Sequence, residues 1–175
     1  LSLFQSDVAA QLVTLKDWMT EARAANGKKV IMAGNGGSAA IASHCAVDFT
    51  KNAGIRCITF NDADLITCFA NDYGYERWLE KALAFYADAG DCAILISSSG
   101  QSKNMVHAAR FARAHGLTVV TFTGFAKDNP LKAAGHLNVW VDSRAYNIIE
   151  MTHHIWLLAV CDLLASRGAA RPRRK

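Results

Sequence analysis

Residues 92–103 read Cys92-Ala93-Ile94-Leu95-Ile96-Ser97-Ser98-Ser99-Gly100-Gln101-Ser102-Lys103. An unbroken apolar run gives way at once to serines and one glycine, and a helical pattern follows from Lys103 to His115. A continuous apolar strand is what a parallel sheet covered on both faces requires. The turn therefore stands at the carboxyl end of a buried strand and the amino end of a helix. There, exposed N–H groups and the helix dipole favour an anion. The hydroxyls of Ser97, Ser98, Ser99 and Ser102 add side-chain donors, and phosphate offers the acceptor oxygens to match. The turn has no lysine and the chain no G-x-x-x-x-G-K-[ST] pattern, which argues against a nucleoside triphosphate. The plainer alternative for this stretch is a helix cap with an ordinary turn.

The same punctuation recurs outward from this point. Residues 30–33 form a short apolar run, followed by Gly34-Asn35-Gly36-Gly37-Ser38 and a helical stretch over 39–49. These glycines permit positive φ angles and close approach of a ligand to the backbone. The spacing is not the G-x-G-x-x-G of a dinucleotide site. Residues 55–60 are β-rich, 63–70 and 75–87 read as helices separated by Asn71-Asp72-Tyr73-Gly74, and 118–123 and 137–141 read as strands. At the amino end, Phe4, Val8, Leu12, Leu15, Met19 and Ala22 mark an amphipathic helix over 3–25 that stops at Asn26-Gly27. A long apolar helix over 146–166 closes the chain. Strands alternating with helices predict an α/β fold: a three-layer α/β/α sandwich around a five-stranded parallel sheet of flavodoxin-like type. Ligands of such sheets bind at the carboxyl ends of the strands, where both turns lie.

The bulk composition sets the frame. With 175 residues and 51% hydrophobic content, the chain is expected to form one domain over 1–166. The net charge of +4 is concentrated in a basic tail, 167–175, which holds Arg167, Arg171, Arg173, Arg174 and Lys175. The remainder is close to neutral. A solvated, disordered tail is expected, and nucleic acid is not the expected partner; a weak contact with nucleic acid or a membrane surface is the alternative. No apolar run reaches the ~18–20 residues of a membrane span, and the amino end lacks the basic-then-apolar pattern of a secretory signal. Five scattered cysteines without a C-x-x-C pair fit the reduced thiols of a cytoplasmic protein better than a disulfide frame or a zinc knuckle.

Taken in this order, residues 34–38, Asn71-Asp72-Tyr73-Gly74, Gly90-Asp91, residues 97–102 and the closing helix with Glu150 resemble the sugar isomerase (SIS) domain family, and within it the phosphoheptose isomerases. The resemblance runs from the first helix through Leu164. It implies conversion of sedoheptulose 7-phosphate to a heptose 7-phosphate. It also implies a phosphate cradle at Ser97, Ser98, Ser99 and Ser102, with sugar-hydroxyl contacts from Asn35, Ser38 and Asp72 and with Gly36 and Gly37 in the same turn. A homotetramer with sites between subunits is implied as well.

One part of the family pattern is altered. The family's acid–base and metal set comprises a His and a Glu on the helix after the first turn, then a Gln and a His on the closing helix. Here those positions hold His44, Asp48, Ile149 and Leu157. Moving a carbonyl between adjacent carbons needs a base at the C–H and an acid at the oxygens. Asp48 is the candidate base, and His44 or His153 the candidate acid. His153 lies four residues from both Ile149 and Leu157 on one helical stripe. No cofactor is required; if a metal binds, His44, Asp48 and His153 would form a three-ligand zinc site with an open position. Against this stand plainer readings, a His153 packed at a helix interface and a simple His44–Asp48 polar pair. Two functions remain: an isomerase of a phosphorylated ketose, and a non-catalytic phosphosugar-binding adapter or regulatory protein.

Overall fold

The computed structural model describes residues 3–25 and 27–166, so the basic tail lies outside the described residues. Five parallel strands, β1 (Val30–Gly34), β2 (Cys57–Thr59), β3 (Cys92–Ser97), β4 (Thr118–Thr123) and β5 (Leu137–Trp140), form one sheet in the order β2-β1-β3-β4-β5. Period-two alternation divides each strand between two cores. Val30 and Met32 of β1, with Cys92, Ile94 and Ile96 of β3, enter the core shared with α1 (Ser6–Ala24), α2 (Gly37–Lys51) and α7 (Tyr146–Ser166). Ile31 and Ala33, with Ala93 and Leu95, enter the core under α4 (Trp78–Tyr86) and α5 (Lys103–Ala114). The expected three-layer α/β/α sandwich is therefore the observed one.

Several boundaries shift by a few residues, and three differences have clear local reasons. The helix expected over 63–70 is α3 (Ala63–Tyr73), which carries Asn71 and Asp72 into its last turn. Asp62 caps its start by accepting from the N–H groups of Asp64 (3.0 Å) and Leu65 (3.2 Å), and Gly74, at φ 81°, ends it. A short helix unforeseen in the sequence, α6 (Pro130–Ala134), follows Asn129, whose Oδ1 accepts from Lys132 N–H at 2.9 Å with Pro130 at the first helical position. Helix α1 begins at Ser6, leaving Phe4 half exposed.

Helix α7 is long and apolar enough to cross a membrane by length and composition, which corrects the expectation that no segment is. It packs here against α1 and α2, burying Ile149, Thr152, His153, Trp156, Leu157, Val160, Cys161 and Leu164. The five cysteines are unbridged, and burial pushes the Cys45 and Cys92 thiols up to about 12.

The edge opposite the two turns is fastened by a buried carboxylate. Asp91 accepts from the N–H groups of Lys29 (2.9 Å) and Asp88 (2.8 Å) and pairs with the Lys29 ammonium at 2.7 Å. It thereby ties the start of β1 to the start of β3. Asp91→Ala leaves these donors facing a buried void, and the expected loss is about 3–5 kcal/mol in urea unfolding. A loss below about 1 kcal/mol would mean that the tie carries little of the stability.

Candidate functional site

The serine turn is a closed loop of short interactions. Gly100 N–H donates to Ser97 O (3.0 Å), Ser97 Oγ donates to Ser102 Oγ (3.3 Å), and Gln101 N–H donates to Ser99 Oγ (3.2 Å). Gly100 adopts φ 63°, and any Cβ there would run into the Asn129 side chain. Neighbouring loops brace the turn from behind: Gly124 N–H donates to Ser98 O (2.8 Å) and Leu131 N–H to Gly100 O (3.1 Å). Ser97 and Ser98 are buried, and Ser98 Oγ has no hydrogen-bond partner. A buried, unpartnered hydroxyl is a donor left available to an acceptor oxygen. Ser102 stands at the N-cap of α5 without a side-chain cap bond, which leaves the positive end of that helix open to an anion.

The glycine turn faces the serine turn at the switch point of the sheet, where β1 and β3 lie side by side and the chain leaves in opposite directions. Two amides stitch the turns together. Asn35 Nδ2 donates to Asn104 Oδ1 (3.0 Å) and Asn104 Nδ2 donates to Asn35 Oδ1 (2.8 Å). Tyr75 OH also donates to Asn35 Oδ1 (3.2 Å). Asn104, Tyr75 and Asn129 escaped sequence reasoning. A polar Asn104 on the otherwise apolar buried face of α5 was the available signal. Asp72 is exposed at the end of α3, where its Oδ1 accepts from Asn71 Nδ2 at 3.0 Å.

The proposed catalytic set does not assemble as expected. His153 is fully buried, with Nε2–H donating to Thr123 O (3.1 Å) and its ring against Phe122 and Trp156. Its Nδ1 has no partner. Burial lowers its pKa from 6.5 to about 4, opposed by the Thr123 bond, so it is a neutral packing residue. The neighbouring His154 turns to α2 instead. Its ring meets that of His44 edge-on, 4.8 Å between centroids, and His44 Nε2 lies 3.4 Å from Asp48 Oδ2. Burial, then the neighbouring His44, lowers the His154 pKa, while Asp48 opposes them. The expected zinc site of His44, Asp48 and His153 is thus corrected: among the described residues no group of three or more His, Cys, Asp or Glu side chains could hold a metal ion. The metal set implied by the resemblance does not fit this chain either, because Ile149 and Leu157 are hydrocarbon side chains fully buried in the core.

Fold and site together place the chain among parallel-sheet proteins with two strand-end turns facing each other across the switch point of the sheet. The chain belongs to the SIS domain family, whose model matches residues 1–124. It is 41% identical over 106 residues to the phosphoheptose isomerase of Burkholderia pseudomallei (strain 1710b), a match covering 57% of this chain and 54% of that relative. The chain thus spans about half the length of the first curated relatives it matches. A longer match, 34% identical over 159 residues, covers 85% of this chain and 79% of the phosphoheptose isomerase of Thermodesulfovibrio yellowstonii. The solved phosphoheptose isomerase of Neisseria gonorrhoeae superposes with a TM-score of 0.79 at 28% identity, covering 90% of this chain and 86% of that one.

His153 sets a pH dependence. Its folded pKa lies below its unfolded value, so the stability it contributes is complete above pH 6.5 and drains away as pH falls from 6.5 to about 4. The loss over that window is expected to be about 3 kcal/mol. Urea unfolding at several pH values checks it, and His153→Gln should flatten that part of the profile.

Proposed function

We propose that this chain binds a sugar phosphate in the 97–102 turn and interconverts its ketose and aldose forms. The unpartnered Ser98 Oγ, buried in the turn that opens α5, carries this reading. Phosphate oxygens would accept from Ser97, Ser98, Ser99 and Ser102 and from the first N–H groups of α5, while Asn35, Gly36, Gly37, Ser38 and Asp72 contact the sugar. The relatives named phosphoheptose isomerase support turnover over a non-catalytic adapter, and they make sedoheptulose 7-phosphate the first substrate to try. Groups able to handle protons line the seam between α2 and α7: Glu150, His154, His44 and Asp48.

The assembly is a homotetramer in this reading. Tyr146, Ile148, Met151 and Ile155 on α7, with Val47 on α2, are exposed apolar residues suited to burial against further copies. The unbridged cysteines agree with a cytoplasmic setting.

Ser98→Ala separates ligand binding from folding. Since Ser98 Oγ bonds to nothing in the protein, the variant should unfold like the wild type. Its affinity for sedoheptulose 7-phosphate by calorimetry should fall about tenfold, the value of one ligand hydrogen bond near 1.4 kcal/mol. Wild-type protein that binds the sugar phosphate but forms no aldose product would refute the isomerase part of the proposal.

A further inference from the structure

Two consecutive residues of α7 rest on the two walls of the crevice. Ile149 Cδ1 lies 2.6 Å from where a Cβ on Gly124 would stand, and Gly124 N–H is bonded to Ser98 O behind the serine cup. Glu150 lies over the glycine turn, its Oε1 2.8 Å from where a Cβ on Gly37 would stand. Gly37 is the first residue of α2, and Gly36 at its N-cap supplies no side chain. The Glu150 carboxylate is thus held at the positive end of α2. It is half-buried, and it has no hydrogen bond or ion pair with any described residue. Its oxygens are free to take a proton from a ligand seated between the turns.

Of the other acids and bases of the seam, His154 stands one turn beyond Glu150 on α7 with its ring edge-on to His44. Asp48 is paired with His44 and stands eleven positions beyond Gly37 on α2. At 1.5 Å per residue it is about 16 Å along the helix from the turn, and His44 is about 10 Å along it. A sugar lying across residues 34–38 and 97–102 of the same chain therefore meets Glu150 first.

We propose that Glu150 is the catalytic residue that moves the proton between C1 and C2 of the bound sugar phosphate. This rests on the isomerase reading above. The C1–H bond of the ketose breaks, the proton goes to the Glu150 carboxylate, and the electron pair forms the C1=C2 bond of an enediol as O2 gains a proton. Glu150 then returns its proton to C2, the O1–H proton leaves, and the C1=O bond of the aldose forms. The proton gained at O2 matches the one lost at O1, so the step needs no co-reactant.

Glu150→Gln keeps size and polarity but cannot act as base. With sedoheptulose 7-phosphate, kcat should fall roughly 100-fold or more. Calorimetric affinity should stay within about threefold of the wild type. In D2O, wild-type protein should place deuterium at C2 of the aldose, and E150Q should not. A carboxylate that only holds α2 in place would change stability and leave kcat and exchange intact. If E150Q does not fold, Glu150→Asp retains the charge one methylene short, and its kcat should drop about tenfold or more with KM little changed. An active wild type with an equally active E150Q or E150D overturns the assignment while the isomerase reading stands. A wild type that binds the sugar without turnover overturns both.

Discussion

The reciprocal amide pair between Asn35 and Asn104 is the constraint on which the site depends. The sheet brings the two turns to one edge, with Gly34 paired to Ile96 in the β1–β3 register. That pairing aligns backbones but does not fix the gap between the loops that follow. The two amide bonds close it, and Tyr75 adds a third bond from the segment before α4. Each bond is worth only about 0.5–1.5 kcal/mol net, yet breaking the pair would leave a buried amide unsatisfied. The gain is a crevice whose donors are placed before any ligand arrives, which reduces the ordering that binding must otherwise supply.

Helix α7 then divides its labour by rotation. Neighbouring positions on a helix differ by about 100°. One stripe, Ile149, His153 and Leu157, enters the core behind the sheet. The adjacent stripe, Glu150 and His154, faces α2. The two closing-helix positions of the family pattern, Ile149 and Leu157, fall on the core stripe here and are hydrocarbon, with the neutral His153 between them. The polar groups sit one residue over. The serine turn thus keeps the residue types of the family pattern, while on α7 the polar side chains stand one residue over from the pattern's positions.

The legible and illegible parts of the chain follow from range. Strands buried on both faces announce themselves as apolar runs, and the two turns as breaks after them, so the topology and the position of both turns were legible. Helix α6 was not, because its five residues carry no period and only the Asn129-Pro130 start marks it. Spacing favours His153 over His154 because it reveals a stripe but not which partner that stripe faces, which is decided by how α7 packs on α2. The Asn35–Asn104 pair joins residues 69 apart and leaves no local trace beyond an asparagine on a buried helix face.

The central claim, a preformed phosphate cup at the switch point, is tested most directly by backbone amide NMR of the wild-type protein titrated with sedoheptulose 7-phosphate. The account predicts the largest shift changes at the N–H groups of Ser98 to Lys103, with a second group at Gly36 to Ser38 and the Asn104 side-chain amide close behind. Saturable changes centred elsewhere, with these amides unmoved, would contradict it.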